Sequence, residues 1–261
     1  MVFSSTFAQP AMSSWEYHVA EGISYFKCDL LAGFSHGFFT RDCAGLSQLT
    51  QSLSPEAKAY RTKQVHGKTI VSPSQMPLED TLKGDGICSD GEKQALWVAS
   101  ADCTPILIAD VRTGKVGAVH AGWRGTALSI LPIAIAHLLS HGSQLSNLRV
   151  ALGPAISGEV YQVSENVAVE VGKSLFPDLG DAAILEQLWQ FQPSPLLRDS
   201  QQGKVRLDVR RVNYLQLKNM GFHPEQIAVS PHCTYQQAEH FFSYRRRQEK
   251  AVQWSGIVSN A

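Results

Sequence analysis

Short apolar runs closely bounded by turn residues punctuate the chain at 96–99, 105–109, 116–120, 150–152 and 227–229. They are rich in Val, Ile and Ala. Such runs suit buried strands better than helices, because they are short and punctuated on both sides. Arg112, Thr113, Gly114 and Lys115 form a tight-turn signal between two of them. The expected result is a hairpin whose first strand begins just after Cys103 and whose second ends at His120.

Helical periodicity is clearest after Gly125, where Leu128, Leu131, Ile135, Leu138 and Leu139 recur until Gly142 supplies a stop. Two further helices are expected over 165–175, behind Ser164 as cap, and over 209–220, between Asp208 and Gly221. The stretch 192–200, with Pro193 and Pro195, reads as a loop. Strands with interspersed helices and a hairpin indicate an α+β fold with a mixed β-sheet core flanked by helices. No linker, charge block or fixed-period repeat divides the chain, so residues 15–261 are expected to form a single catalytic domain. Residues 1–14, rich in small residues, read as a flexible N-terminus.

Charge narrows the possible partners. Lys plus Arg equals Asp plus Glu at 23 each among 261 residues, so no global field favours nucleic acid. The dense basic cluster Arg245, Arg246, Arg247 reads equally well as a solvated surface turn. No apolar run approaches the roughly 20 residues that span a bilayer. Five cysteines without a C-x-x-C pair, and an N-terminus without a secretory pattern, point to the cytoplasm.

Three segments concentrate small, polar and metal-capable residues at expected strand ends: Lys63-Gln-Val-His-Gly67, Ala101-Asp-Cys-Thr-Pro105 and Val119-His-Ala-Gly-Trp-Arg-Gly125. Each offers one good ligand, namely His66, Cys103 and His120. Two imidazoles and a thiolate are a normal donor set for catalytic zinc, which keeps a fourth position open. Their separations of 37 and then 17 residues match no ligand signature, so a buried apolar cysteine and ordinary histidines remain open readings.

The run Val119-His-Ala-Gly-Trp-Arg-Gly-Thr126, with Lys63-Gln-Val-His-Gly67, Ala101-Asp-Cys103, Leu152-Gly-Pro-Ala-Ile156 and Phe241-Phe-Ser-Tyr-Arg-Arg246, closely resembles the YfiH family. That family is also known as the laccase-domain or multicopper polyphenol oxidoreductase family, and as peptidoglycan editing factor PgeF. The resemblance begins at His36-Gly-Phe-Phe-Thr-Arg41 and reaches about Arg246. It implies a YfiH-like fold (CNF/YfiH-like), with zinc on His66, Cys103 and His120. It also implies purine nucleoside phosphorylase activity with adenosine deamination beside it, so the partners would be purine nucleosides and inorganic phosphate. The expected state is a monomer or homodimer.

Residue chemistry is compatible with both reactions. Zinc activates water near neutral pH, as deamination requires. Phosphorolysis needs an anion cradle, and Arg124, in the Gly-rich turn that opens the expected helix, suits phosphate best. Arg61 and Lys63 are second candidates. Asp102, beside Cys103, would carry a proton or orient a histidine, although neighbouring strand residues point to opposite faces. Asp85, between Gly84 and Gly86, is a substrate-binding candidate that reads first as an ordinary turn.

His137 and His141 share a helix face but lack the glutamate of a zinc protease. Copper oxidase chemistry is a poor fit, since none of the nine histidines forms an H-x-H pair. After Arg246 the chain lacks the Gly-rich turn and Thr-Gly-Arg of many family members. Two alternatives use the same residues. One is a metal-free hydrolase with Cys103 as nucleophile and His120 as base. The other is a peptidoglycan precursor editing factor with a structural zinc, closed by His232 or Cys233.

Overall fold

Strands Thr104–Asp110 and Val116–Ala121 are buried along their whole length, which is why each reads as an unbroken apolar run. They pair antiparallel, with Pro105 opposite His120 and Ala109 opposite Val116. Asp110 fastens the turn between them by accepting the N–H groups of Arg112 and Thr113. The hairpin expected from the sequence is therefore the centre of the molecule, in a computed structural model that describes residues 14–42, 45–77 and 81–260. Of the expected flexible segment 1–14, residues 1–13 lie outside the described residues. Ser14 is fixed by two hydrogen bonds to the Asp29 carboxylate, at 3.0 and 2.9 Å.

The hairpin belongs to a mixed sheet of six strands, ordered Ile227–Val229, Leu148–Leu152, Thr104–Asp110, Val116–Ala121, Gly86–Cys88 and Ile70–Val71. A second six-stranded sheet runs Trp15–Ala20, Ile23–Cys28, His36–Phe39, Gln253–Val258, Gln94–Ser100 and Lys58–Arg61. Alternate side chains show how these sheets stack. Leu107, Ala109, Val116 and Ala118 of the hairpin share a core with Phe26, Phe38, Leu96, Val98 and Ile257 of the second sheet. Ile106, Ile108, Val119 and Ala121 point the other way, into a core shared with helices Ile130–Ser140, Glu165–Gly172, Asp181–Gln190 and Val209–Asn219. Helix Leu46–Leu53 covers the outer face of the second sheet through Leu49, against Trp97 and Phe39. The layers are thus helix, sheet, sheet, helices, and the fold is α+β.

Caps behave as read: Ser164 accepts from Val167 N–H and Asp208 from Arg211 N–H. Three expectations need correction. The helix after Gly125 is two pieces, Trp123–Ala127 and Ile130–Ser140, because Ser129 adopts a left-handed φ of 60° between them. Within 192–200, Leu196–Arg198 forms a strand paired with Lys204–Leu207, which in turn pairs with Gln162–Ser164. The basic cluster is not a loose turn, since Tyr244–Arg247 is a short helix capped by the Ser243 side chain. Among the described residues, no helix is long and apolar enough to cross a membrane.

Candidate metal centre

Side-chain parity brings the site together. Leu107 and Ala109 face the sheet-to-sheet core, so Cys103, two residues before Pro105, continues that face at the strand's open end. Ala118 faces the same core, and His120 continues it from the partner strand. Strand Gly86–Cys88 pairs with Val116–Ala121 through Gly86 opposite Val119, which sets Asp85 opposite His120. The His120 N–H donates to the Asp85 carbonyl at 2.7 Å, and the two side chains meet at 3.0 Å through His120 Nδ1.

Asp85 is fully buried, and its carboxylate has further work. It accepts the backbone N–H groups of Val65, His66 and Gly67 at 3.1, 2.8 and 2.7 Å. His66 holds a left-handed φ of 59°, and this ring of donors keeps it there. Gln64 pins the front of the same loop by a pair of hydrogen bonds to the backbone of Ala99, at 2.7 and 2.8 Å. One carboxylate therefore orients His120 through its ring and His66 through its backbone. Gly84-Asp-Gly86 is therefore more than an ordinary turn: the Asp85 carboxylate braces both His66 and His120.

The ligand atoms of His66, Cys103 and His120 lie within 4.8 Å of one another. Cys103 Sγ is 3.9 Å from His66 Nε2, and the two imidazoles stand edge to face. Gly122 makes the thiol's position possible, since a Cβ there would sit 2.7 Å from Cys103 Sγ and 3.4 Å from the His66 ring. His120 is buried, Cys103 half-buried and His66 exposed, so the group opens to solvent on the His66 side.

The thiol, the imidazoles and the carboxylate are electrostatically coupled. Burial pushes the Cys103 thiol up, but the charge and hydrogen bonds of His120 and His66 outweigh it and bring the thiol down to about 6. Burial opposes charging of His120, yet the Cys103 thiolate and the Asp85 hydrogen bond raise it to about 9. Asp85 falls to about 2 despite its burial, through the His120 and backbone N–H bonds. A thiolate and two imidazoles, with a carboxylate behind one of them, are a donor set that could hold a metal ion. Among the described residues, neither His232 nor Cys233 joins the group. Cys233 Sγ accepts from Ser157 N–H, and His232 packs on Phe26 with its ring centre 4.1 Å away.

The remaining sequence candidates separate clearly. Asp102, at φ 94°, accepts from Thr234 Oγ1 and from Arg245 N–H, both at 2.7 Å. Through these bonds it ties the C-terminal segment to the residue before Cys103. Arg124 is exposed, with its guanidinium over the Trp123 ring at 4.7 Å. Its helix, Trp123–Ala127, has only five residues, so Arg124 and not a helix dipole is what could attract an anion there. Arg61 ends its edge strand and Lys63 follows it, and both are exposed. His137 and His141 stack on each other at 4.3 Å, with His137 bonded to Ser72.

Sequence reading missed Tyr161 and Arg245. The Arg245 guanidinium lies over the Tyr161 ring at 4.6 Å. Burial pushes the Tyr161 hydroxyl up to about 12, helped by the charges of Cys103 and Asp102 and opposed by those of Arg245 and Arg124. An aromatic under an arginine from a segment some eighty residues away carries no spacing signal in the chain.

The family described as multi-copper polyphenol oxidoreductase laccase matches residues 44–259. The chain belongs to that laccase-domain family. Within the family and its relatives, a purine nucleoside phosphorylase of Synechocystis sp. is 49% identical over 257 residues, which cover 94% of this chain and 97% of the relative. An adenosine deaminase from an unknown prokaryotic organism is 30% identical over 169 residues, 64% of this chain and 59% of its own. The crystal structure of YlmD from Geobacillus stearothermophilus superposes with a TM-score of 0.77 at 26% identity, covering 95% of this chain and 100% of that one. The likeness to YlmD matches the YfiH-like fold expected from the sequence.

Proposed function

We propose that this laccase-domain protein is a zinc-dependent purine nucleoside phosphorylase with adenosine deaminase side activity, acting in the cytoplasm as a monomer or homodimer. The observation that carries the reading is the His66, Cys103, His120 group, buttressed by Asp85 on its buried side and open on the other. Kinship with a purine nucleoside phosphorylase at 49% identity, and with an adenosine deaminase at 30%, supports the substrate class.

Zinc held by His66, Cys103 and His120 would supply a Lewis acid and the means to activate water near neutral pH. The chain's own groups do the rest. Asp85 bonds His120 through Nδ1 and so turns Nε2 toward the ligand group. Arg124 is the first candidate to hold phosphate against the ribose anomeric carbon, with Lys63 and Arg61 behind it. In phosphorolysis a phosphate oxygen forms the new bond to that carbon as the glycosidic C–N bond breaks, and the purine leaves with a proton. A guanidinium suits this step because it keeps its charge and offers paired donors.

The test is direct. Zinc-loaded protein incubated with adenosine or inosine and phosphate should release adenine or hypoxanthine with ribose 1-phosphate, and inosine from adenosine without phosphate. Folded, zinc-loaded protein yielding none of these overturns the reading.

A second reading has one observation in its favour. Cys103, His120 and Asp85 stand in line as nucleophile, base and orienting carboxylate, and the thiol is brought down to about 6. In a metal-free hydrolase, activity would survive chelation and be destroyed by iodoacetamide. Stoichiometric zinc by elemental analysis, with activity lost on chelation, decides for the metal enzyme.

A further inference from the structure

The three consecutive arginines at 245–247 have three different fates. Arg246 is spent on the fold, its Nη1 donating to the carbonyls of Thr234 and Tyr235 and its Nη2 to that of Phe241, at 2.6 to 2.8 Å. Arg247 lies 3.7 Å from the Glu249 carboxylate. Arg245 is exposed, and its Nη1 donates to the Gln162 carbonyl at 2.9 Å. Among the described residues, its Nε and Nη2 make no hydrogen bond.

Arg245 is also the best placed of the three. Its backbone N–H is bonded to Asp102, the neighbour of Cys103, so the segment is tied directly to the ligand group. Its guanidinium is stacked 4.6 Å above Tyr161, which fixes the plane in which its free N–H groups point. Arg124 comes from another segment that also borders the ligand group, two residues after Gly122, where a Cβ would lie 2.7 Å from Cys103 Sγ. Among the described residues the Asp102 carboxylate makes no ion pair with either guanidinium; its two oxygens accept from Thr234 Oγ1 and the Arg245 N–H.

We infer that Arg245 and Arg124 form a two-guanidinium clamp for inorganic phosphate beside the metal centre, with Tyr161 as the platform that holds Arg245 flat. The inference rests on the phosphorolysis reading for its choice of anion. Two arginines match a dianion better than one, particularly next to a thiolate that repels it, and a planar fork with free donors binds phosphate in a bidentate manner.

Binding of inorganic phosphate to the zinc-loaded full chain is measured by titration calorimetry for the wild type, Arg245→Ala, Arg245→Lys and Arg124→Ala. Zinc content is checked in each. Because Arg245 is exposed and its bond to Asp102 comes from the backbone, truncating the side chain leaves that tie in place. Loss of a charge-assisted contact should weaken phosphate binding by about 10- to 100-fold in either alanine variant. Lysine at 245 should recover part of it. In steady-state phosphorolysis, Arg245→Ala should raise KM for phosphate more than it lowers kcat. A wild type that does not bind phosphate, or an Arg245→Ala variant that binds it equally well, overturns the inference. Phosphate binding that depends on Arg245 without any release of purine base sinks the phosphorolysis reading alone and leaves the clamp standing.

Discussion

Asp85 is a single side chain on which two ligands depend, and its loss should be felt in metal affinity before fold. Replacement by Asn puts an amide N–H against backbone donors at 2.7 to 3.1 Å and weakens the hold on His120. Asp85→Asn should lower zinc affinity by about 10- to 100-fold, read by competition with a chromophoric chelator. Unchanged affinity would show that the buttress is dispensable. A different buried residue governs acid stability. Burial drives His36 down to about 4, and the ring sits neutral, with Nε2 accepting from Cys28 N–H and Nδ1 donating to the Phe34 carbonyl. Its folded pKa lies below the unfolded value near 6.5, so the unfolded chain binds the extra proton first. This contribution is whole above pH 6.5 and is lost as pH falls toward 4, by on the order of 3 kcal/mol. Urea unfolding at pH 7 and pH 4.5 reads the slope. A His36→Gln variant should be less stable at pH 7 and flatter between the two.

Among the elements, the segment 243–247 hangs on one acidic residue. Asp102→Ala leaves Thr234 Oγ1 and Arg245 N–H without their acceptor, at a cost of about 1–3 kcal/mol. Amide exchange over 243–247 should accelerate more than exchange in the strands Thr104–Asp110 and Val116–Ala121, while a uniform acceleration would mean only global destabilisation. This tie was not legible in the sequence, because residues 102 and 245 are joined by folding alone. What was legible were elements whose pattern is local and complete. Strands buried on both faces read as apolar runs, and helices announced by Ser164 and Asp208 read from their caps. Edge strands such as Trp15–Ala20 and Leu196–Arg198, mostly exposed, carry no such run. The break at Ser129 was invisible because Leu128 and Leu131 keep the helical spacing across it. The three ligands were found through resemblance to the family's motifs. The bond from Asp85 to His120 was not legible, because Gly-Asp-Gly is a turn signal and only the strand register sets the two residues opposite each other.

At the scale of the whole molecule, the two large sheets press together over Gly153, where a Cβ would come within 2.3 Å of the Phe38 ring and 3.0 Å of Pro105. Phe38 belongs to one sheet and Pro105 to the other, so there is no free side to move into. Gly153→Ala should lower unfolding free energy by about 1–3 kcal/mol in denaturant titration, and no change would mean that the sheets can part at that point. Strand order carries a further consequence. Gln253–Val258 lies inside its sheet, hydrogen-bonded to His36–Phe39 on one side and to Gln94–Ser100 on the other. On the ribosome, those two partners are made more than a hundred residues before the strand that joins them. A nascent chain halted short of residue 253 leaves both with unpaired edges, the kind of surface that aggregates or recruits a chaperone. Premature termination near the 3′ end of the message should therefore leave not a slightly trimmed protein but one whose second sheet never closes.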